Sequence, residues 1–287
     1  MKENHLSLDT LKQKKSIFEA FLKEFLETVE APEQLRQANE YALTTSGKRI
    51  RPIITLLFGE ATRSLKHAAL ALELFHTASL VADDLPCMDN DDTRRDKPSL
   101  HVAFNETTAL LTTYGMICAA FKQVGAAGMA FEGDSIKERL AIALDCTAEL
   151  AGFNGATGGQ HLDIYPTGDT KEHIEEVFYK KTVTLFEVAF VLGWIFSGRP
   201  IKNIDLVRRA AYDFGLAFQI ADDIADEGSE EKVNVVHLLG KEAALAWFDE
   251  LLSGYTTAVE SLGLTNKGFE ELRDLMLFRA RPPQPVA

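Results

Sequence analysis

Residues 70–89 read LALELFHTASLVADDLPCMD, an apolar run that closes on a cluster of aspartates. Residues 210–226, AAYDFGLAFQIADDIAD, repeat this design further along the chain. A long apolar run that ends at a polar cluster is typical of a buried helix. Each segment therefore predicts a buried helix with several carboxylates at its C-terminal end.

The spacing of these aspartates indicates what they can bind. Asp222 and Asp226 are four residues apart and share a helix face, with Gln219 and Asp223 beside it. Like charges at this spacing repel, and negative charge at a helix C-terminus opposes the helix dipole. Carboxylate oxygens suit Mg²⁺, which binds through one or two carboxylates together with substrate phosphates. The pair of clusters predicts magnesium sites, whereas one cluster alone is more often a solvated acidic turn.

Helical periodicity extends over most of the chain. Apolar residues recur at one-face spacing in 66–82, 107–131, 134–151, 172–197, 204–226 and 240–262. Strand-like alternation is scarce, and no Ser/Gly linker separates two halves. We predict one all-α domain over 1–281, a bundle of about ten or more helices around a central cavity. The prolines in 282–287 cannot continue a helix and predict a loose tail.

Composition excludes several classes of protein. The 287 residues carry a formal net charge of −13, which disfavours a nucleic-acid partner. Three cysteines without CxxC spacing argue against a disulfide framework or a zinc site. The longest apolar stretch, Leu185 to Phe196, contains Glu187 and is too short to span a bilayer. With no signal-peptide pattern in residues 1–30, we expect a cytoplasmic protein without a transmembrane segment.

Basic residues nevertheless form three short clusters. These are Lys48-Arg49 with Arg51, Arg94-Arg95 with Lys97, and Lys180-Lys181. Lys48 and Arg51 flank a helix start expected near Pro52, where backbone N–H groups favour anions. Solvated surface is the ordinary alternative for any one cluster. A lone histidine on an apolar helix, such as His76, is usually a core residue.

These motifs together resemble the polyprenyl synthetase family, the trans-isoprenyl diphosphate synthases of farnesyl and geranylgeranyl type. Six motifs follow the family's order between about Gly47 and Gly240. They are SGKRIRP at 46–52, His76, the first Asp motif with Arg94-Arg95, Gly158-Gly159-Gln160 with Asp163, Lys181-Thr182, and Phe218-Gln219 before the second Asp motif. The resemblance implies the isoprenoid synthase fold and a homodimer. It also implies a trans-prenyltransferase that joins isopentenyl diphosphate to dimethylallyl, geranyl or farnesyl diphosphate, giving geranylgeranyl or farnesyl diphosphate.

The resemblance further implies roles for individual residues. The diphosphate of isopentenyl diphosphate is expected at Lys48, Arg51, His76 and Arg95. The allylic diphosphate is expected at Arg94, Lys181 and Lys232, and at up to three Mg²⁺ ions that this diphosphate bridges. The expected metal ligands are Asp83, Asp89 and Asp222, with Asp84, Asp223 and Asp226 as further ligands or as their supports. Thr182 and Gln219 are expected to direct oxygen dipoles at the developing allylic cation, as part of a catalytic set with Lys181 and Arg94. Gln160 and Asp163 are expected to line the same cavity.

The segment after the second Asp motif departs from the family pattern. Residues 227–231 stand where family members carry a Gly-Lys loop, so Lys232 alone remains of two expected lysines. One phosphate contact is therefore missing. Ser46-Gly47 in place of Gly-Gly is a milder change.

Product length is expected to depend on residues one helical turn before the first Asp motif. Ala78 and Ser79 lie five and four residues before Asp83. The small side chain of Ala78 leaves room for a growing chain, which favours the twenty-carbon product over the fifteen-carbon one. Phe75 and Tyr114 are candidates for the floor of this tunnel.

Two other functions are compatible with parts of the sequence. A non-catalytic partner subunit usually loses an Asp motif or a basic cluster, and both are retained here, although the loop at 227–231 is short. A terpene cyclase ionises the same kind of substrate but needs no site for isopentenyl diphosphate. Lys48, Arg51 and His76 therefore argue against a cyclase.

Overall fold

The computed structural model describes residues 7–45, 47–168, 170–226 and 234–282. In these ranges the α-helices are α1 (Asp9–Glu27), α2 (Glu33–Thr44), α3 (Ile50–Leu57), α4 (Arg63–Asp83), α5 (Leu100–Ala103), α6 (Glu106–Met129), α7 (Ile136–Ala151), α8 (Ala156–Ile164), α9 (Lys171–Phe178), α10 (Thr184–Phe196), α11 (Ile204–Ala225), α12 (Val235–Leu239), α13 (Lys241–Ser261) and α14 (Lys267–Ala280). The predicted all-α class is confirmed. In the described part of the chain, no helix has the length and apolar character that crossing a membrane requires. Cytoplasmic location stays a prediction.

The helices form two compact units. The first unit comprises Lys14–Thr147 and Leu192–Arg199, and the second comprises the remainder of the chain, so the boundary falls within α1 and α10. The single domain over 1–281 stays a prediction. Residues 283–287 of the predicted tail lie outside the described residues.

The core of the first unit is built around α4, whose apolar side chains are buried on most sides. Phe75 of α4 packs edge-to-face on Phe121 of α6, with ring centroids 5.2 Å apart. Gly193 lets α10 approach α3 closely, because a Cβ at this position would overlap the Phe58 ring and lie 3.0 Å from the Thr55 carbonyl oxygen. These contacts pack α4 against α6 and α10 against the C-terminal half of α3.

Aromatic rings fill the core of the second unit. Phe214 of α11 lies 5.2 Å from Phe186 of α10 and 5.4 Å from Tyr255 of α13, measured between ring centroids. The Tyr255 hydroxyl donates to the Phe269 carbonyl oxygen of α14 at 3.2 Å. Rings of this size contribute much of a core's buried apolar area. They hold α10, α11, α13 and α14 as one body.

The helix predicted over 172–197 is interrupted. After α9 the chain forms a π-helical turn, Tyr179–Val183, before α10 begins. Gly159 of α8 lies so close that a Cβ there would overlap the backbone at Lys181. Single π turns inside helices are rare and frequent at functional sites. Here the turn carries Lys181 and Thr182, both singled out from the sequence.

A short hairpin carries the second basic cluster. Strand β1 (Thr93–Arg94) pairs antiparallel with β2 (Lys97–Pro98). Arg95 and Asp96 between them have φ of 54° and 62°. Positive φ at both central residues matches the right-handed twist of paired strands, and Asn-Gly or Asp-Gly usually supplies it. The sequence analysis missed this hairpin because Arg95-Asp96 lacks that signal.

The close approach at Gly193 leads to a test of stability. Gly193→Ala is expected to destabilise the protein by about 1 to 3 kcal/mol, because the added methyl group meets Phe58 with no room to move. The measurement is denaturant unfolding. Gly125→Ala is the matched control, since nothing lies within 4 Å of a Cβ there. It is expected to stabilise α6 by about 0.5 to 1 kcal/mol; equal effects of the two changes would contradict this packing.

Candidate active site

Three residues predicted to bind one diphosphate lie together in the first unit. Nη1 of Arg51 on α3 is 3.5 Å from Nε2 of His76 on α4. The pKa of Arg51 is lowered to about 10, mainly by burial; the negative charge of Glu73 opposes this shift, and the positive charge of Arg95 adds to it. Burial, and then the charges of Arg51 and Arg95, hold the pKa of His76 well below its usual value. His76 is therefore neutral at pH 7, beside two cations that repel each other.

Lys48, the fourth residue predicted for this diphosphate, precedes α3 and has an exposed side chain. The helix begins at Ile50, two residues before the start expected near Pro52. Its preceding residue, Arg49, has φ of 56°, in the left-handed region that favours glycine. A non-glycine residue is held there only when its surroundings stabilise it.

Arg49 is stabilised by a buried network that the sequence analysis missed. Its guanidinium pairs with Glu73 of α4 and donates to Glu19 of α1 at 2.9 Å and to the Leu43 carbonyl oxygen at 2.6 Å. Arg49 belongs to the first of the three basic clusters, for which solvated surface was the ordinary alternative; that alternative does not hold for Arg49, because its side chain is almost fully buried. The sequence signal for this buried network is Glu73, an acidic residue within the apolar run of α4.

The hairpin reaches the same loop through Gly47. A Cβ at Gly47 would lie only 2.6 Å from Nη1 of Arg95, so a larger residue would displace the guanidinium. Lys15 holds the other side by donating to the Gly47 carbonyl oxygen at 2.7 Å. Gly47 is thus required for Arg95 to lie beside the start of α3.

The first Asp motif surrounds the end of α4. Asp83 is its last residue, and the backbone N–H of the exposed Asp89 donates to the Asp83 carbonyl oxygen at 2.9 Å. Asp84 is buried and accepts two bonds from Arg94 of the hairpin, one of them from Nε at 2.9 Å. Burial raises the pKa of Asp84, and Arg94 opposes that rise. Asp91 also accepts from Arg94, at 3.3 Å.

The residues predicted to control product length lie deeper along α4. Ala78 is buried, and the Ser79 hydroxyl donates to the His76 carbonyl oxygen at 2.9 Å. Phe75 is buried against α6. Tyr114 is 56% exposed and therefore contributes no buried wall within its own chain.

In the second unit, a chain of hydrogen bonds runs from the π turn to the second Asp motif. Thr182 donates through its hydroxyl to Oε1 of Gln219 at 3.1 Å, and Nε2 of Gln219 donates to Oδ1 of Asp223 at 2.9 Å. Lys181 pairs with Asp163 at 2.6 Å. Gln160, the motif residue on α8, is buried, and neither of its side-chain polar atoms has a hydrogen-bond partner among the described residues.

Asp223 anchors this chain of hydrogen bonds to the protein. Only 1% of its surface is exposed, and its Oδ2 accepts from the backbone N–H of Val235 at 2.8 Å. Asn234 donates to the Asp223 carbonyl oxygen at 3.3 Å and caps the start of α12. With both carboxylate oxygens bonded to the protein, this geometry favours the supporting role over direct metal ligation. Lys232 and residues 227–231 lie outside the described residues.

Asp222, in the last turn of α11, forms an ion pair with Arg279 of α14. The Arg279 guanidinium also lies over the Phe218 ring, 5.0 Å from its centroid. Asp226 follows at the end of α11, is exposed, and donates its N–H to the Asp222 carbonyl oxygen at 2.9 Å. Arg279 is a second residue that the sequence analysis missed, because 57 residues separate it from Asp222.

Comparison with known proteins gives a family match over most of the chain. The model of the polyprenyl synthetase family matches residues 32–239. The chain belongs to the polyprenyl synthetase family.

Two relatives in this family carry different product names. A heterodimeric geranylgeranyl pyrophosphate synthase large subunit 2 from Arabidopsis thaliana is 38% identical over 244 residues, which is 81% of this chain and 60% of that protein. The chain thus spans less than two thirds of the Arabidopsis protein's length. A farnesyl diphosphate synthase from Bacillus subtilis is 35% identical over 230 residues, covering 78% of this chain and 77% of that protein.

Solved structures of similar proteins share the fold. A geranyltransferase from Legionella pneumophila is 28% identical with a TM-score of 0.82, covering 94% of this chain and 95% of that one. A geranyltranstransferase from Thermotoga maritima is 31% identical with a TM-score of 0.79, covering 94% and 98%. The predicted isoprenoid synthase fold is confirmed.

The donor set of this polyprenyl synthetase family member fits a hard cation. Its Asp motifs offer carboxylate oxygens, the ligands that Mg²⁺ prefers. Among the described residues, no three His, Cys, Asp or Glu side chains lie close enough together to hold a metal ion. Asp84 and Asp222 are instead each paired with an arginine. A metal that binds these two carboxylates must therefore compete with Arg94 and Arg279.

The network around Arg49 leads to a stability test. Glu73→Ala is expected to destabilise the protein by about 3 to 5 kcal/mol, because it removes a buried partner and leaves a buried guanidinium poorly compensated. Glu19→Ala is the matched control: it removes a partly exposed partner of the same guanidinium and should cost under about 1 kcal/mol. Denaturant unfolding of both variants gives the comparison, and a Glu73→Ala cost no larger than that of the control would contradict this account.

Proposed function

We propose that the protein is a trans-prenyltransferase that joins isopentenyl diphosphate to an allylic diphosphate. The observation that carries this proposal is the meeting of Arg51, Arg95 and a neutral His76 in the first unit. Glu73, which also pairs with Arg49, offsets part of the positive charge of Arg51 and Arg95. Gathering these cations is still unfavourable unless a further anion compensates them. A bound diphosphate supplies that compensation, and family membership makes isopentenyl diphosphate the natural candidate.

The roles within this cluster follow from the chemistry of the side chains. The guanidinium groups of Arg51 and Arg95 offer paired N–H donors to phosphate oxygens. Neutral His76 donates one ring N–H without adding charge. Lys48, which is exposed, closes over the diphosphate as a flexible point charge.

Ionisation of the allylic substrate breaks its C1–O bond, and the electron pair leaves with diphosphate. We assign Arg94 and Lys181 to this diphosphate, since fixed cations stabilise charge as it develops. Mg²⁺, up to three ions held by Asp83, Asp89 and Asp222 with Asp226, would neutralise the same leaving group.

The allylic cation is stabilised by oxygen dipoles of the second unit. Asp223 accepts from the amide nitrogen of Gln219, so the amide oxygen turns toward Thr182. The Thr182 hydroxyl proton is used in that bond, which leaves its oxygen lone pairs for the cation. The double bond of isopentenyl diphosphate then forms the new C–C bond to C1. A proton leaves the resulting cation, and the released diphosphate accepts it.

Geranylgeranyl diphosphate is the favoured product, with farnesyl diphosphate as the second candidate. The relatives named above carry both names, so family membership does not separate the two. Small, buried Ala78 one turn below the first Asp motif supports the longer product.

Incubation with labelled isopentenyl diphosphate, each allylic primer and Mg²⁺ tests both activity and product. Wild-type protein is expected to give mainly the twenty-carbon diphosphate, and Ala78→Tyr mainly the fifteen-carbon one, because the ring blocks the growing chain. Ala78→Ser is the control and should leave the length unchanged. Ser79→Tyr gives a second reading if Ala78→Tyr folds poorly. An unchanged product length in both tyrosine variants would contradict the assignment of Ala78 and Ser79 to product-length control.

The same assay separates the alternatives. A non-catalytic subunit gives no product with any primer, and a terpene cyclase gives hydrocarbon or alcohol from the allylic diphosphate alone. Neither alternative is favoured by the pairing of Arg94 with Asp84 or by the cluster of Arg51, His76 and Arg95.

We further propose that α6 forms a homodimer interface. Leu110, Leu111, Tyr114 and Ile117 are exposed apolar residues along one face of this helix. Such contiguous apolar surface is typical of interaction sites.

Light scattering after gel filtration tests the interface. Leu111→Glu combined with Tyr114→Lys is expected to convert a dimer into a monomer, because charges would be buried between the helices. Phe153→Lys is the control, since Phe153 is 90% exposed and lies outside α6. A wild-type monomer, or a dimer that survives the double change, would contradict the proposal.

A further inference from the structure

The ion pair between Asp222 and Arg279 joins the second Asp motif to the last turn of α14. The side chains are 30% and 18% exposed, so water screens the pair less than it screens a surface salt bridge. Burial lowers the pKa of Arg279, but a guanidinium keeps its charge at neutral pH. Asp222 is therefore already neutralised by a cation that belongs to the protein.

The position of Arg279 is set by a packed helix. Phe269, Leu272 and Met276 bury the inner face of α14. The ring of Phe218, one turn before Asp222 on α11, lies beneath the guanidinium and attracts it. Arg279 is therefore held in place beside the second Asp motif by α14, by the Phe218 ring and by the Asp222 carboxylate.

Arg279 and a divalent cation compete for the Asp222 carboxylate. Nη1 of Arg279 occupies Oδ1 of Asp222, and a metal ligated by that oxygen has to displace it. Neighbouring Asp223 offers no substitute, because both of its oxygens are bonded within the protein.

We propose that Arg279 is the resting counter-ion of Asp222 and is exchanged for the divalent cation when the enzyme loads. This inference rests on the proposed function, which supplies the metal. The exchange has two consequences. It weakens the affinity of the second Asp motif for free divalent cations, since part of the binding free energy is used to break the ion pair. It also frees a guanidinium near the place where a diphosphate arrives, and that group can take over phosphate oxygens.

Titration of the substrate-free protein with Mn²⁺ alone tests the exchange, by electron paramagnetic resonance of the free ion or by calorimetry. Arg279→Gln is expected to bind Mn²⁺ about three- to tenfold more tightly than wild type, because the metal no longer displaces a charge-assisted bond. Arg279→Lys, which retains the charge, should stay close to wild type.

Arg281→Gln is the matched control. Arg281 follows α14 directly and pairs with Asp249 at 2.9 and 2.8 Å, so the change removes a similar ion pair two residues away. It should leave the affinity for Mn²⁺ unchanged. A second reading is the rise in Tm on adding saturating Mn²⁺, which is expected to be larger for Arg279→Gln than for wild type or Arg281→Gln.

Equal or weaker Mn²⁺ binding by Arg279→Gln, including no detectable binding by either protein, overturns the inference. So does an equal gain in Arg281→Gln. The proposed function is read separately, from prenyl product made by the wild-type enzyme. If product forms but Arg279→Gln binds Mn²⁺ no better, the counter-ion exchange alone fails. If no product forms, the proposed function fails whatever the titration shows.

Discussion

The buried ion pair between Arg49 and Glu73 is the interaction on which the basic site of the first unit depends. It holds Arg49 in a left-handed conformation that a non-glycine residue otherwise avoids. That conformation starts α3 at Ile50 and directs Arg51 toward His76. An ion pair at this depth is costly to desolvate and is weak evidence for stability in itself. Here the Arg49–Glu73 pair matters for geometry, since it determines where the Arg51 guanidinium lies.

The second unit solves a similar problem with a carboxylate. Asp223 lies in the last turn of α11 and accepts from Gln219 on one oxygen and from the start of α12 on the other. Gln219 in turn receives the hydroxyl of Thr182 from the π turn. One buried acid therefore orients an amide and a hydroxyl on different elements. In both units a buried charge therefore orients a neighbouring side chain to which the proposed function assigns a substrate contact.

Sequence reasoning located the elements that are long, apolar and periodic. The helices carrying both Asp motifs end at these motifs, α4 at Asp83 and α11 at Ala225 with Asp222 and Asp223 in its last turn, and the all-α class followed from the apolar spacing. It failed where the geometry is decided by contacts across the chain. The π turn depends on the close approach of Gly159, and the hairpin depends on a turn without glycine. Neither the π turn nor the hairpin alters the local periodicity of apolar residues in the sequence. Arg279 was missed for the same reason, because its partner is distant in sequence.

Both Asp motifs share one electrostatic constraint. Carboxylates gathered at helix C-termini repel one another and the helix dipole, so a folded chain needs cations near them at all times. Arg94 and Arg279 provide that charge from inside the protein. The two are held differently: Arg94 sits on a hairpin with positive-φ turn residues, and Arg279 on a helix over an aromatic ring. Under the proposed function, a counter-ion of limited strength suits such a cluster. A stronger counter-ion would exclude the metal, and the absence of any counter-ion would destabilise the fold. The partial exposure of Asp222 and Arg279 places their pair in that intermediate range.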